Sequence, residues 1–171
     1  YSSGKMGYAI ATEALSRGAE VTLISGPSNL KAPDVDDFIS VESAEEMSDA
    51  VMLIYDNLDV VIMSAAVADY KPNIVAENKI KKSDNNLNIS LEKTVDILSE
   101  MGNKKSNEQF IVGFALETDN EVENAKNKLK GKNLDMIVLN SLNNKGAGFQ
   151  HNTNKITIID KANNICNFEL K

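Results

Sequence analysis

Val60-Val61-Ile62-Met63-Ser64-Ala65-Ala66-Val67-Ala68-Asp69-Tyr70-Lys71-Pro72 decides the fold: four apolar residues run straight into a small-residue loop that ends in a carboxylate. A Val- and Ile-rich run bounded by a turn reads as a strand covered on both faces. The alanines at its exit leave room for a flat group to approach the backbone, and α/β sheets bind ligands at such exits. Beyond Asp69 comes Lys79-Ile80-Lys81-Lys82, a basic patch on an acidic chain.

Outward from this stretch, helical and strand patterns alternate. Met6, Ala9, Ile10, Ala14 and Leu15 lie at helical spacing, and Gly18 closes that helix before a strand from Glu20 to Ser25. Ser43-Ala44-Glu45-Glu46 is a capping box leading into Met47, Ala50, Val51 and Ile54, after which Asp59 to Met63 forms a central strand. Further strands are expected at Leu87 to Leu91, Phe110 to Ala115 and Asp135 to Asn140. Helices are expected around Val95 to Met101 and from a second capping box, Thr118 to Glu121, through Val122, Ala125 and Leu129. Lys155 to Asp160 and Ile165 to Leu170 flank Asn163-Asn164 as a hairpin with a turn compatible with type I′. Nothing divides the chain into parts, so residues 1–171 read as one three-layer α/β/α, Rossmann-like domain, mainly parallel with an antiparallel C-terminal hairpin.

Composition narrows the function. A chain of 171 residues, 42% hydrophobic and 25% charged, can bury an adequate core. No apolar run approaches the roughly 20 residues that span a bilayer, and no signal-peptide layout opens the chain, so a cytoplasmic protein is expected. One cysteine, Cys166, excludes an internal disulfide, and with one histidine, His151, it cannot form a zinc site by itself. A net charge of −7 argues against a general nucleic-acid binder.

Four segments fall at the ligand end of such a sheet: Ser64 to Asp69, Gly113 to Thr118, Asn140 to Leu142, and Ser2-Ser3-Gly4-Lys5-Met6-Gly7. The last opens a helix, where free N–H groups and the helix dipole favour an anion. Each has a plainer reading. Serine and glycine before a helix usually just cap it, and Lys79, Lys81 and Lys82 suit an exposed edge. Lys128 and Lys132 suit a solvated helix face, and Phe114 a core position, although at a strand exit it could stack on a base.

Their joint order favours a site. S-S-G-K-M-G-Y-A-I-A, A-A-V-A-D-Y-K-P, K-I-K-K-S, G-F-A-L-E-T, K-N-L-D-M-I-V-L-N and G-A-G-F followed by N-T-N-K-I-T-I-I-D span Ser2 to Asp160. Together they resemble phosphopantothenate-cysteine ligase, the synthetase half of the bifunctional coenzyme A biosynthesis protein of bacteria. The resemblance implies that CTP activates the carboxylate of 4′-phosphopantothenate as an acyl-cytidylate, releasing pyrophosphate, and that the amine of L-cysteine then displaces CMP. It also implies Mg²⁺ on the phosphates rather than in a protein metal site.

By this similarity Lys79 is the catalytic cation that meets the triphosphate, with Lys128 and Lys132 also on the nucleotide. Asp69 would hydrogen-bond the nucleotide beside the Ser64-Ala65 backbone. Pyrimidine choice would come from Glu92, Lys93, Thr94, Val95 and Phe114. Ser2, Ser3, Gly4 and Ala66 would hold the substrate phosphate. The family further implies a homodimer in which the loop of Lys79 to Lys82 reaches the neighbouring site, and Tyr70 to Asn78 reads as a flexible lid or exchanged loop. Fusion to a phosphopantothenoylcysteine decarboxylase domain is a further expectation.

Departures temper the match. The family carries an asparagine and a glycine-rich strand before S-S-G-K-M-G and a helix after the last strand, so this chain reads as a central piece of a longer one. Thr94-Val95-Asp96 stands where relatives often have Asn-Pro. His151 is expected at the surface and Cys166 as a small packing or edge-strand residue. An NAD(P)-dependent oxidoreductase is the rival enzyme, but Ser3-Gly4-Lys5-Met6-Gly7 lacks the G-x-G-x-x-G pattern, and Tyr70-Lys71-Pro72 cannot supply a helical Tyr-x-x-x-Lys pair. A non-catalytic nucleotide-binding or dimerisation module is the other alternative.

Overall fold

The computed structural model describes residues 3–76, 78–81, 87–141 and 153–169. In chain order these form α1 (Lys5–Ser16), β1 (Thr22–Ser25), β2 (Asp37–Ser40), α2 (Ala44–Ile54) with a 3-10 turn at Tyr55–Asn57, and β3 (Val60–Met63). There follow β4 (Tyr70–Pro72), β5 (Leu91–Lys93), α3 (Ile97–Lys104), β6 (Phe110–Glu117), α4 (Glu121–Gly131), β7 (Met136–Ser141), β8 (Ile156–Asp160) and β9 (Ile165–Phe168). Among the described residues the main sheet has the order β3-β6-β7-β8-β9. Its first three strands are parallel and the last two antiparallel. β1 and β2 pair in parallel by themselves, and β4 and β5 form an antiparallel arm. The architecture is the three-layer α/β/α arrangement that the alternation predicts.

Helix ends follow from single residues. Gly18, at φ +88, closes α1, with Ala19 N–H on the Ala14 carbonyl and Gly18 N–H on that of Leu15. Asn133, at φ 51, closes α4 the same way, with Leu134 N–H on the Leu129 carbonyl. Asparagine tolerates the left-handed region that this cap requires. At the start of α2, Ser43 Oγ accepts from Glu46 N–H at 3.1 Å, while the Glu46 carboxylate accepts from Glu42 N–H at 2.9 Å.

The core lies where β6 and β7 meet α2, α3 and α4. Met101, Ile111, Ala125, Ile137 and Ile159 are fully enclosed there. Gly113 makes this packing possible, because a β-carbon on it would lie 2.7 Å from Leu134 Cδ1 and 3.1 Å from Leu98 Cδ2. One charge is buried at the opposite end of the sheet from the strand exits. Asp135, 2% exposed, accepts from Ile111 N–H at 2.8 Å and Lys161 Nζ at 2.8 Å, and pairs with the nearly buried Lys105. Burial pushes its carboxyl up, but the hydrogen bonds from both lysines and Ile111 outweigh that and hold it below the usual range.

Several expectations are corrected. β3 is an edge of the described sheet, not a strand covered on both faces: Val60 and Ile62 are 54% and 41% exposed. Leu87 to Leu91 is not a strand as a whole; pairing begins at Leu91, where β5 meets β4. Tyr70 to Asn78 therefore starts as a strand of that arm rather than as a free loop. β2, Asp37-Phe38-Ile39-Ser40 preceded by Asp34 and Asp36, is a further strand that its short apolar pair does not announce. The second capping box does not form: the cap of α4 is Asn120, without a side-chain cap bond, and Glu121 instead accepts from Ser141 Oγ. At the hairpin only Asn163 has positive φ, so the turn is not type I′. Lys161-Ala162-Asn163 instead makes a three-residue loop stapled by the Asp160 carboxylate to the N–H groups of Ala162 and Asn164, both at 2.9 Å. His151 and Gly146-Ala147-Gly148-Phe149 lie outside the described residues.

Candidate functional site

The carboxyl ends of β3 and β6 open into a pocket with a cavity of about 130 Å³. Its walls are Met63, Ala65 and Val67 to Asp69 from the β3 exit, Thr94 to Leu98 at the start of α3, Phe114 of β6, Lys128 of α4 and Lys132 at its C-cap. That volume is below the roughly 300 Å³ of a full ligand pocket, so it encloses one ring and leaves the rest of a larger ligand at the mouth.

Each wall is fixed by a local bond. Thr94 N–H donates to the Asp69 carbonyl at 3.0 Å, and the Thr94 hydroxyl donates to the Ala68 carbonyl, so the β3 exit and the segment before α3 are tied together. Phe114, half-buried, presents its carbonyl to Lys128 Nζ at 2.7 Å. Asp96 caps α3 by accepting from Ser99 N–H at 3.1 Å, and its other bonds go to Lys132 Nζ, 2.8 Å and 2.9 Å from its two oxygens.

The electrostatics are graded. Burial lowers the pKa of Lys128, and Lys132 pushes the same way, against the pull of Glu117, Asp96 and Asp69. Asp96 is raised by burial, but the bonds from Lys132 and Ser99 leave it below the usual carboxylate range. A cation pair facing an exposed carboxylate, Asp69, beside an aromatic ring can hold a flat, anionic ligand.

Of the residues singled out from sequence, the structure gathers Ala65, Asp69, Thr94, Val95, Phe114, Lys128 and Lys132 around this pocket. Ser64 stands beside it at the other side of the strand exit: a β-carbon on Gly7 would lie 2.9 Å from Ser64 Oγ, so the first turn of α1 approaches it closely. Ser3 and Gly4 belong to that turn and are held by Ser28, whose Oγ donates to the Ser3 carbonyl at 3.0 Å. Ala66 is exposed at the same strand exit, and Ser2 lies outside the described residues. Glu92 and Lys93 are in β5 and exposed, not in the pocket wall. Lys79 is exposed and farther along the arm, away from the pocket wall. Sequence reasoning missed the role of Asp96; an Asp three residues before Ser99, ahead of a helical pattern, was the available signal.

Among the described residues no group of three His, Cys, Asp or Glu side chains could hold a metal, and no helix is long and apolar enough to cross a membrane. Cys166 is exposed on β9.

Comparison with known proteins identifies the family and the fold. Residues 1–171 match the family model of the DNA/pantothenate metabolism flavoprotein C-terminal domain. The chain is 53% identical, over its whole length, to 48% of a cysteine/cysteine sulfinic acid decarboxylase from an unknown prokaryotic organism. It is 50% identical, over 94% of its length, to 39% of the coenzyme A biosynthesis bifunctional protein CoaBC of Bacillus subtilis. It thus spans less than half the length of these curated relatives. The crystal structure of the C-terminal domain of a CoaBC protein superposes with a TM-score of 0.81 at 43% identity, covering 99% of this chain and 74% of that one. A Cab2 variant in complex with phosphopantothenate-cysteine shares the fold at a TM-score of 0.78 and 14% identity, covering 99% of this chain and 72% of that one. With the family model matched from end to end, the chain belongs to the DNA/pantothenate metabolism flavoprotein C-terminal domain family.

Proposed function

We propose that this domain joins L-cysteine to 4′-phosphopantothenate, driven by cleavage of CTP. The observation that carries the reading is the convergence of Asp69, Phe114, Lys128 and Lys132 on one pocket at the strand exits. A pocket of this size suits a pyrimidine ring better than a dinucleotide, with Phe114 as its stacking surface and the backbone of Thr94 and Val95 as its hydrogen-bonding edge. The triphosphate then runs out past Lys128 and Lys132, whose charges offset the negative charge that builds as pyrophosphate leaves.

In the first step a carboxylate oxygen of phosphopantothenate forms a bond to the α-phosphorus of CTP, and the bond to pyrophosphate breaks. In the second, the cysteine nitrogen forms the amide, a proton leaves the amine, and CMP departs. Magnesium is expected on the phosphate oxygens, where it would neutralise charge; with no three-ligand cluster among the described residues, water and phosphate would supply most of its shell. The substrate phosphate is assigned to Ser3 and Gly4 at the start of α1, whose first turn approaches Ser64 at the β3 exit, with Ser2 and Ala66 as further candidates.

The arm supports a homodimer. Tyr70, Ile74, Val75, Ile80, Leu87, Ile89 and Leu91 are all exposed, Ile74 and Val75 at 79% and 80%, on an arm that buries none of them within its own chain. A cluster of that kind marks a protein interface. Lys79 rides on this arm, and in the dimer it would serve the site of the other subunit.

The test is pyrophosphate release from CTP. The reading expects release that needs phosphopantothenate, with CMP and the cysteine adduct formed once cysteine is added. Release of carbon dioxide from cysteine without CTP turnover would contradict it.

A further inference from the structure

Lys132 is held by α3 at both ends. It is the C-cap residue of α4, and its carbonyl lies so close to Gly102 that a β-carbon there would be 1.9 Å from the oxygen. The next residue, Asn133, donates through Nδ2 to the Gly102 carbonyl at 2.8 Å. From that fixed backbone the side chain reaches back along α3 to the Asp96 carboxylate, meeting both oxygens within 2.9 Å. Lys128, one turn earlier, has a different restraint, the Phe114 carbonyl. The two pocket cations are therefore aimed by separate partners.

We propose that Asp96 is a positioning residue of the pocket: acting through Lys132, it fixes where the second cation stands and so favours a polyphosphate already anchored by its base over a free one. The inference rests on the nucleotide reading above. A lysine stem has several rotatable bonds, so an unrestrained ammonium follows whatever anion arrives. An anchored triphosphate cannot move to meet it, whereas free pyrophosphate can. Asp96 carries a second duty, the cap of α3, and the two are separable: asparagine or serine keeps the cap and removes the charge.

The experiment compares the protein with Asp96→Asn and Asp96→Ser. Limited labelling with an amine-reactive ester, read by peptide mass spectrometry, reports the freedom of Lys132, with exposed Lys130 as the internal reference. Labelling of Lys132 should rise about two- to fivefold in both variants, the upper range of a partly exposed ion pair lost, and that of Lys130 should stay constant. For CTP, kcat/KM should fall about three- to tenfold, carried by KM, while inhibition by inorganic pyrophosphate is kept or strengthened. Unchanged labelling of Lys132 overturns the proposal, and so does a CTP KM within twofold of the parent or an equal loss of pyrophosphate inhibition. A parent protein inert toward CTP would instead sink the ligase reading, and the labelling would still decide whether Asp96 holds Lys132.

Discussion

Gly102 and Lys132 touch backbone to backbone: a β-carbon on Gly102 would stand 1.9 Å from the Lys132 carbonyl oxygen and 2.9 Å from its carbon. Neither atom is the end of a flexible side chain, so an added methyl must push α3 and α4 apart. Gly102→Ala is expected to destabilise the fold by about 2–3 kcal/mol. Urea unfolding measures it, and the same variant should weaken nucleotide binding, because the shifted backbone carries Lys132 with it.

Asp135 is a buried charge held by two lysines and a backbone N–H, and the sign of its contribution to stability is clear. The folded-state pKa is depressed, so the stability it contributes is present above the unfolded carboxylate value and is lost as pH falls through the folded one. Asp135→Ala leaves the nearly buried Lys105 unpaired and should cost about 3–5 kcal/mol near neutral pH. The gap between variant and parent should narrow as the pH drops below about 4, which chemical denaturation at several pH values would reveal.

Among the described residues Lys128 Nζ has one hydrogen-bond partner, the Phe114 carbonyl at 2.7 Å. Lys128→Gln keeps a donor but loses the charge. CTP affinity should fall by about 1.5–3 kcal/mol, the worth of a charge-assisted bond, with little change in melting temperature. Calorimetric titration beside a thermal melt separates the two effects.

The arm makes a prediction about assembly. Ile74→Asp with Val75→Asp should convert a dimer to monomers in sedimentation velocity, because two exposed aliphatics would become charges at the interface. If Lys79 acts on the neighbouring subunit, Lys79→Gln and Lys128→Gln proteins, each impaired alone at CTP below the parental KM, should rise to about a quarter of parental activity when their subunits are mixed, since half the dimers then hold one intact site. No recovery would place Lys79 in its own subunit's site.

Much of the architecture was legible because periodicity and caps are local properties. Gly18, Ser43 and the apolar run of β7 each announce their element within a few residues. What escaped depended on neighbours. β3 reads as a buried strand, but exposure of Val60 and Ile62 is decided by what lies across its outer edge, which no four-residue window contains. Leu87 to Leu91 alternates as a strand should, but the ladder takes in only Leu91, opposite Pro72, with the Ser90 carbonyl accepting from Asn73 N–H beside it. For the pocket, Asp69, Phe114, Lys128 and Lys132 stand at strand exits or on a helix face and could be found from position. Asp96 could be found from position as a helix cap, but its bond to Lys132 could not, because that bond spans 36 residues and exists only once α3 packs on α4.

The most direct test of the central claim is release of pyrophosphate from CTP by the purified protein with Mg²⁺, followed with and without 4′-phosphopantothenate before any cysteine is added. The account predicts release that depends on phosphopantothenate and a trapped acyl-cytidylate in the absence of cysteine. Binding of CTP with no release under any substrate combination would contradict it and leave a nucleotide-binding module.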